Sequence, residues 1–179
     1  MVDALKRDYP IRDVWVPHEI HPDTPEGGRL MTDLFSRVDV DGVLEACRQH
    51  GAKYGIQFRD MEMLRNTRKA LAAAEFARDH GKYDDFHHAV FKAYFSDGRD
   101  IGSVDTLMDI ASSCGLDAKV MVTSLESGIY LERLAEGSAK ARSMGVRAIP
   151  AFFIEDQPAI TGAVAEARFR DILDRMLQA

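Results

Sequence analysis

Apolar positions recur at helical intervals through the middle of this chain and alternate only near its two ends. Val40, Val43, Leu44 and Cys47 share one stripe, which predicts a short amphipathic helix over Asp41–His50, closed by Gly51. The alanine-rich run Thr67–His80 predicts a second helix, with Asn66 as its N-cap and Gly81 as its stop. Asp84–Phe95 predicts a third, ending near Gly98. Ser103 is placed to cap a helix that runs to Cys114, and Asp117 one that ends near Gly128. Tyr130–Met144 and Glu166–Leu177 complete the helical set. Val14–Ile20 alternates loosely and predicts a strand, with Pro17 at a bend or an edge. Ala151–Ile154 and Ala159–Thr161 predict a hairpin. The order is strand, helical block, hairpin, terminal helix. It predicts an α/β architecture, a sheet of mixed direction with the helical block inserted between its halves.

One junction stands out from this pattern. Ile149-Pro150 lies between a helix that stops at Gly145 and the apolar strand Ala151–Ile154. Proline cannot donate to a strand ladder, so its place at the mouth of a strand calls for a reason, and a tight turn with a cis bond is one. Arg147 belongs to the same loop. It reads as an exposed surface arginine, with contact to an anionic substrate group as the alternative. The aromatic residues Phe86, Phe91, Tyr94 and Phe95 have helical spacing and read as packing of the helical block, with the lining of an apolar groove as the alternative.

Composition narrows the chemistry. Hydrophobic residues make up 46% and charged residues 29%, as in ordinary soluble domains. The net charge of -6 argues against nucleic acid, which needs a basic face. No apolar run approaches the roughly 20 residues that span a bilayer, and the first residues contain no apolar signal core. No membrane association and a cytoplasmic location are the expectations. Cys47 and Cys114 are the only cysteines, far apart in the chain, and read as structural thiols. His18, His21, His87 and His88 lack the Cys or carboxylate spacing of a metal centre. No metal and no cofactor are expected.

Several short motifs occur in a fixed order: Phe86–Phe95, Gly98-Arg-Asp-Ile-Gly102, Ile110-Ala with Gly115-Leu-Asp, and Gly145-Val, Ile149-Pro150, Phe153-Ile154 and Gly162-Ala. Together they resemble the DsbA family of thioredoxin-fold proteins. Trp15–Pro22 and Asn66-Thr67 are most similar to its FrnE-like thiol–disulfide oxidoreductases, with hydroxychromene-carboxylate isomerases as more distant cousins. The resemblance covers Val14 to Leu177. It implies a single domain, with thioredoxin-fold parts at about 1–20 and 145–179 and a helical insertion at about 30–144.

The same resemblance implies a disulfide oxidoreductase or isomerase. It implies that Ile149-Pro150 is cis and offers backbone groups to an extended peptide or to a thiol such as glutathione. Asn66 gains a second reading from it, as a substrate contact. Family members carry a first strand and a Cys-x-x-Cys ahead of the position of Val14. Here Ala4–Asp8 reads as the tail of the helix that would follow. The expectation is an N-terminally truncated chain without the redox dithiol, inactive as written, and with no catalytic residue of its own. The alternatives are a redox-dead peptide-binding module and a glutathione-dependent isomerase. A missing first strand would leave the hairpin edge open, to be filled by Val14–Val16 or by a second copy in a homodimer.

Overall fold

The computed structural model describes residues 1–178 and divides the chain into two compact units. One unit is Met1–Val16 together with the chain from Ser138 onward, and the other is Pro17–Gly137.

The larger unit is helical because its sequence is periodic. It contains β1 (Arg29–Leu30), α2 (Met31–Leu34), α3 (Val40–Ala52), β2 (Met63–Leu64), α4 (Arg68–Asp79) and α5 (Tyr83–Phe91). A π-helical turn over Lys92–Ser96 extends α5, where the aromatic spacing predicts one continuous helix. Then follow α6 (Val104–Ser113), α7 (Ala118–Glu126) and most of α8 (Ile129–Ser143). Asp39 caps α3 by accepting from the Gly42 N–H, and Asp117 caps α7 by accepting from Lys119 and Val120. The core is built on α4, whose Ala70, Ala72, Ala73, Ala77 and Phe76 are buried among Phe86, Leu107, Ile110 and Met121. Alanine lets neighbouring helices approach closely, and Phe76 and Phe86 fill the volume that remains. Glu75 is buried in this core but paired with Arg78 at 3.1 Å, and the Arg78 guanidinium lies 3.9 Å from the centre of the Tyr83 ring.

The smaller unit contains α1 (Val2–Asp8), the hairpin β3 (Ala151–Phe152) and β4 (Ile160–Thr161), and α9 (Glu166–Leu177). Its core is Leu5, Ile160, Phe169, Ile172 and Leu173, with Phe152 edge-on to Phe169 at 4.8 Å. Polar contacts join sequence-distant pieces. The Tyr9 hydroxyl donates to Asp174 at 2.7 Å, and Arg170 bonds Asp8 at 2.7 Å and Glu166 at 2.9 Å.

Two expectations about the sheet are corrected. Val14–Ile20 forms no strand: these residues carry no ladder bonds, and Val14 is 65% exposed. Pro17 lies inside the segment and cannot donate to a ladder, and Pro10 and Pro22 bracket it, so the run has few donors to pair. Nor does one mixed sheet form. The described strands make two separate antiparallel pairs, β1 with β2 and β3 with β4. β3 therefore has no second strand beside it among the described residues, and Val14–Val16 does not fill that edge.

Candidate functional site

The loop between α8 and β3 is where the smaller unit presents backbone. α8 stops at Gly145, whose φ of 76° suits a residue without a Cβ. Val146 N–H bonds back to Ala141 at 3.0 Å, which closes the helix end. From Arg147 to Pro150 the chain is exposed. The Ile149–Pro150 peptide bond is cis. The Pro150 carbonyl accepts from the Gly162 N–H at 2.7 Å, so β4 holds the far side of the turn.

What remains free is specific. The Ile149 N–H and carbonyl have no hydrogen-bond partner among the described residues, and the Ile149 side chain is 58% exposed. The Arg147 guanidinium has no ion-pair partner among them either. Arg147, Ile149 and Pro150 thus share one loop that offers a donor, an acceptor, an apolar side chain and a cation. An extended chain can bond such a backbone as an added strand.

Asn66 belongs to the other unit and does different work. Its side-chain amide donates to the Thr24 carbonyl at 2.6 Å, and its carbonyl oxygen accepts from the Arg68 N–H at 3.0 Å. It ties the 21–28 loop to the start of α4, with Thr67 in the N-cap position itself. The aromatic residues make a ladder along α5 and the π turn. Tyr83 stacks on His87 at 5.6 Å, His87 lies 4.5 Å from Phe91, and Phe91 lies 5.6 Å from Phe95. Burial pushes the Tyr83 hydroxyl up to about 12, against a smaller opposing pull from Arg78. Burial likewise raises Tyr94 and Tyr130.

Cys47 lies in α3 and Cys114 at the end of α6, both half-buried and unpaired with each other. Among the described residues no three histidines, cysteines or carboxylates converge as metal ligands. No helix among them is long and apolar enough to cross a membrane.

The comparisons with known proteins bear on this loop through the fold. Residues 1–174 match the DSBA-like thioredoxin domain. The chain belongs to that family. The probable DsbA oxidoreductase SCO1869 from Streptomyces coelicolor superposes with a TM-score of 0.87, covering 98% of this chain and 81% of that one at 17% identity. That likeness establishes a DsbA-like thioredoxin fold with a helical insertion. A thioredoxin-like oxidoreductase from Silicibacter pomeroyi DSS-3 gives a TM-score of 0.52, 28% identity, and coverage of 63% and 62%. The uncharacterized protein YwbO of Bacillus subtilis (strain 168) is 28% identical over 115 residues, 64% of this chain. The match spans 57% of YwbO's length.

A pocket lined by residues between Leu30 and Glu62 had no signature in the helical periodicity. Met31 and Met61, which line it, are the compositional hint of it.

Proposed function

We propose that this DsbA-like domain serves thiol–disulfide exchange, and that residues 145–152 hold the substrate strand for it. The observation that supports this reading is the Ile149 peptide group, exposed and unpartnered beside β3. A cysteine-containing segment lying antiparallel to Ile149 gains two backbone bonds, and Arg147 meets a carboxylate on it. Chemistry in this class needs an attacking thiolate and a resolving thiol. Cys47 and Cys114 lie on separate helices and cannot act as such a couple. The 179 residues are therefore assigned the binding half of the exchange. Within the family, Trp15–Pro22 and Asn66-Thr67 favour the FrnE-like branch.

The test is an amide-resolved NMR titration of the chain with an extended cysteine-containing peptide and, separately, with glutathione. Shifts centred on the Ile149 and Ala151 amides are expected with the peptide. Saturable binding that leaves both amides unmoved would sink the assignment. Stronger shifts with glutathione than with peptide would transfer the site to the isomerase branch. In an insulin-reduction assay the chain is expected to stay at background, and Cys47→Ser and Cys114→Ser to change nothing.

A further inference from the structure

Residues within 30–41, with Met61 and Glu62, line an open pocket of about 540 Å³ within the Pro17–Gly137 unit. That volume lies inside the range of roughly 300–1,000 Å³ typical of ligand sites. Half-buried Met31, Phe35, Val40 and Met61 line it. Leu30 and Val38 join them, yet are 46% and 50% exposed, so part of the apolar lining faces water with nothing over it. The polar part of the lining is Thr32, Ser36 and three carboxylates, Asp39, Asp41 and Glu62, and no lining residue is basic. Arg37 lies in the adjoining turn but does not line the pocket.

Part of this acidity has an internal cause. Asp39 caps α3, and Asp41 sits in its first turn, where the helix dipole favours negative charge. Glu62 has no such cause. It precedes β2, and neither its carboxylate nor that of Asp41 has a cationic partner among the described residues. The surrounding unit strengthens the bias, with fourteen Lys and Arg against twenty-one Asp and Glu. Apolar surface beside uncompensated carboxylates favours a ligand that carries apolar bulk and positive charge side by side. The lining comes from three stretches, β1 with α2, the start of α3, and the approach to β2, so the ligand must reach across all three. Methionine side chains at 31 and 61 can adjust to the shape that arrives.

From this we infer that the pocket docks a peptide segment of another protein, in which a bulky apolar side chain is flanked by lysine or arginine. The apolar side chain enters among Met31, Phe35 and Met61, and the cations meet Asp41 and Glu62. The segment is a second contact, independent of the strand site at Ile149.

Fluorescence anisotropy tests it with the full chain and a labelled peptide of leucine, phenylalanine and lysine. Saturable binding is expected. Asp41→Lys combined with Glu62→Lys is expected to weaken it by about tenfold or more, and Glu126→Lys, an exposed charge outside the pocket, by less than about twofold. The same peptide with glutamate for lysine is expected not to bind. Equal losses from the pocket and the control reversals, or equal binding of the glutamate peptide, would overturn the proposal. Met61→Gln, with the fold checked by circular dichroism, is expected to weaken binding without touching charge. Unchanged affinity in that variant would also overturn it.

Discussion

The two units of this chain reach stability by different routes. In Pro17–Gly137 the buried residues come from successive helices, and one alanine-rich helix, α4, supplies Ala70, Ala72, Ala73 and Ala77 to the core. In the other unit a core of Leu5, Ile160, Phe169, Ile172 and Leu173 is gathered from both ends of the chain. Its cross-links, Tyr9 to Asp174 and Arg170 to Asp8, also span nearly the whole sequence. Local contacts cost little loop closure, whereas contacts between chain ends cost more. The loop that carries the proposed substrate strand hangs on the smaller, less locally determined core. Binding loops are commonly drawn from regions of lower local stability.

The largest expected effect tests whether that division is energetic as well as geometric. Phe76 is 1% exposed and Phe169 is 3% exposed. Replacing either with alanine is expected to cost about 3–5 kcal/mol. Hydrogen exchange should distinguish them, with Phe76→Ala deprotecting α4 to α7, and Phe169→Ala deprotecting β3, β4 and α9 while α4 stays protected. If either variant deprotects both regions alike, the two units unfold as one and the contrast fails.

Packing tolerance comes next. Ala77 is fully buried. Ala77→Leu is expected to destabilise by about 1–3 kcal/mol in a urea titration. Ala167, exposed on α9, should accept leucine within about 0.5 kcal/mol. A tolerated Ala77→Leu would show that α4 is looser than its alanines suggest.

The larger unit also carries an alkaline liability. Tyr83 ionises near 10 when unfolded and near 12 in the fold, because burial disfavours the phenolate. The folded state holds this proton more tightly, so the stabilisation is complete below pH 10 and is lost as pH rises toward 12. Allowing for the partial exposure of Tyr83, the loss is about 1–2 kcal/mol. Denaturant titrations across that window should show it, and Tyr83→Phe should flatten it. An unchanged alkaline slope in Tyr83→Phe would assign the effect to other groups.

Helix capping sharpens the comparison further. Asp117→Ala removes the side-chain bonds to Lys119 and Val120 and is expected to cost about 1 kcal/mol. The smallest effect belongs to the hairpin. Glu155 adopts a φ of 42° at its tip, a left-handed conformation that glycine enters freely. Glu155→Gly is expected to stabilise by about 0.5 kcal/mol, seen as a small rise in the denaturation midpoint. A loss instead would mean that the glutamate side chain contributes more than its backbone costs.

Much of the architecture was legible from residue order. Alanines at Ala70, Ala73 and Ala77, caps at Asp117, and stops at Gly81, Gly115 and Gly145 state helix ends and faces through local sterics and hydrogen bonding, which act within one turn. The proline marked a restricted turn at Ile149-Pro150, but its cis bond was implied by the family resemblance and not by local sterics, which favour trans. Strand pairing was not. Val14–Ile20 alternates loosely, yet pairing requires a partner of matching register, and none lies beside it among the described residues. The close passage of Pro17 over α8 was equally hidden: a Cβ on Gly137 would lie 2.6 Å from the Pro17 carbonyl, a constraint that exists only once the chain has folded. Asn66 shows both layers at once. Its sequence position announced the start of α4, and tertiary structure added the bond to Thr24. The sequence by itself determined the helices and their buried faces, because those depend on neighbours three and four residues away. Which edges stay open, which carboxylates stay unpaired and where the pocket forms were decided by contacts between distant residues, for which no local rule exists.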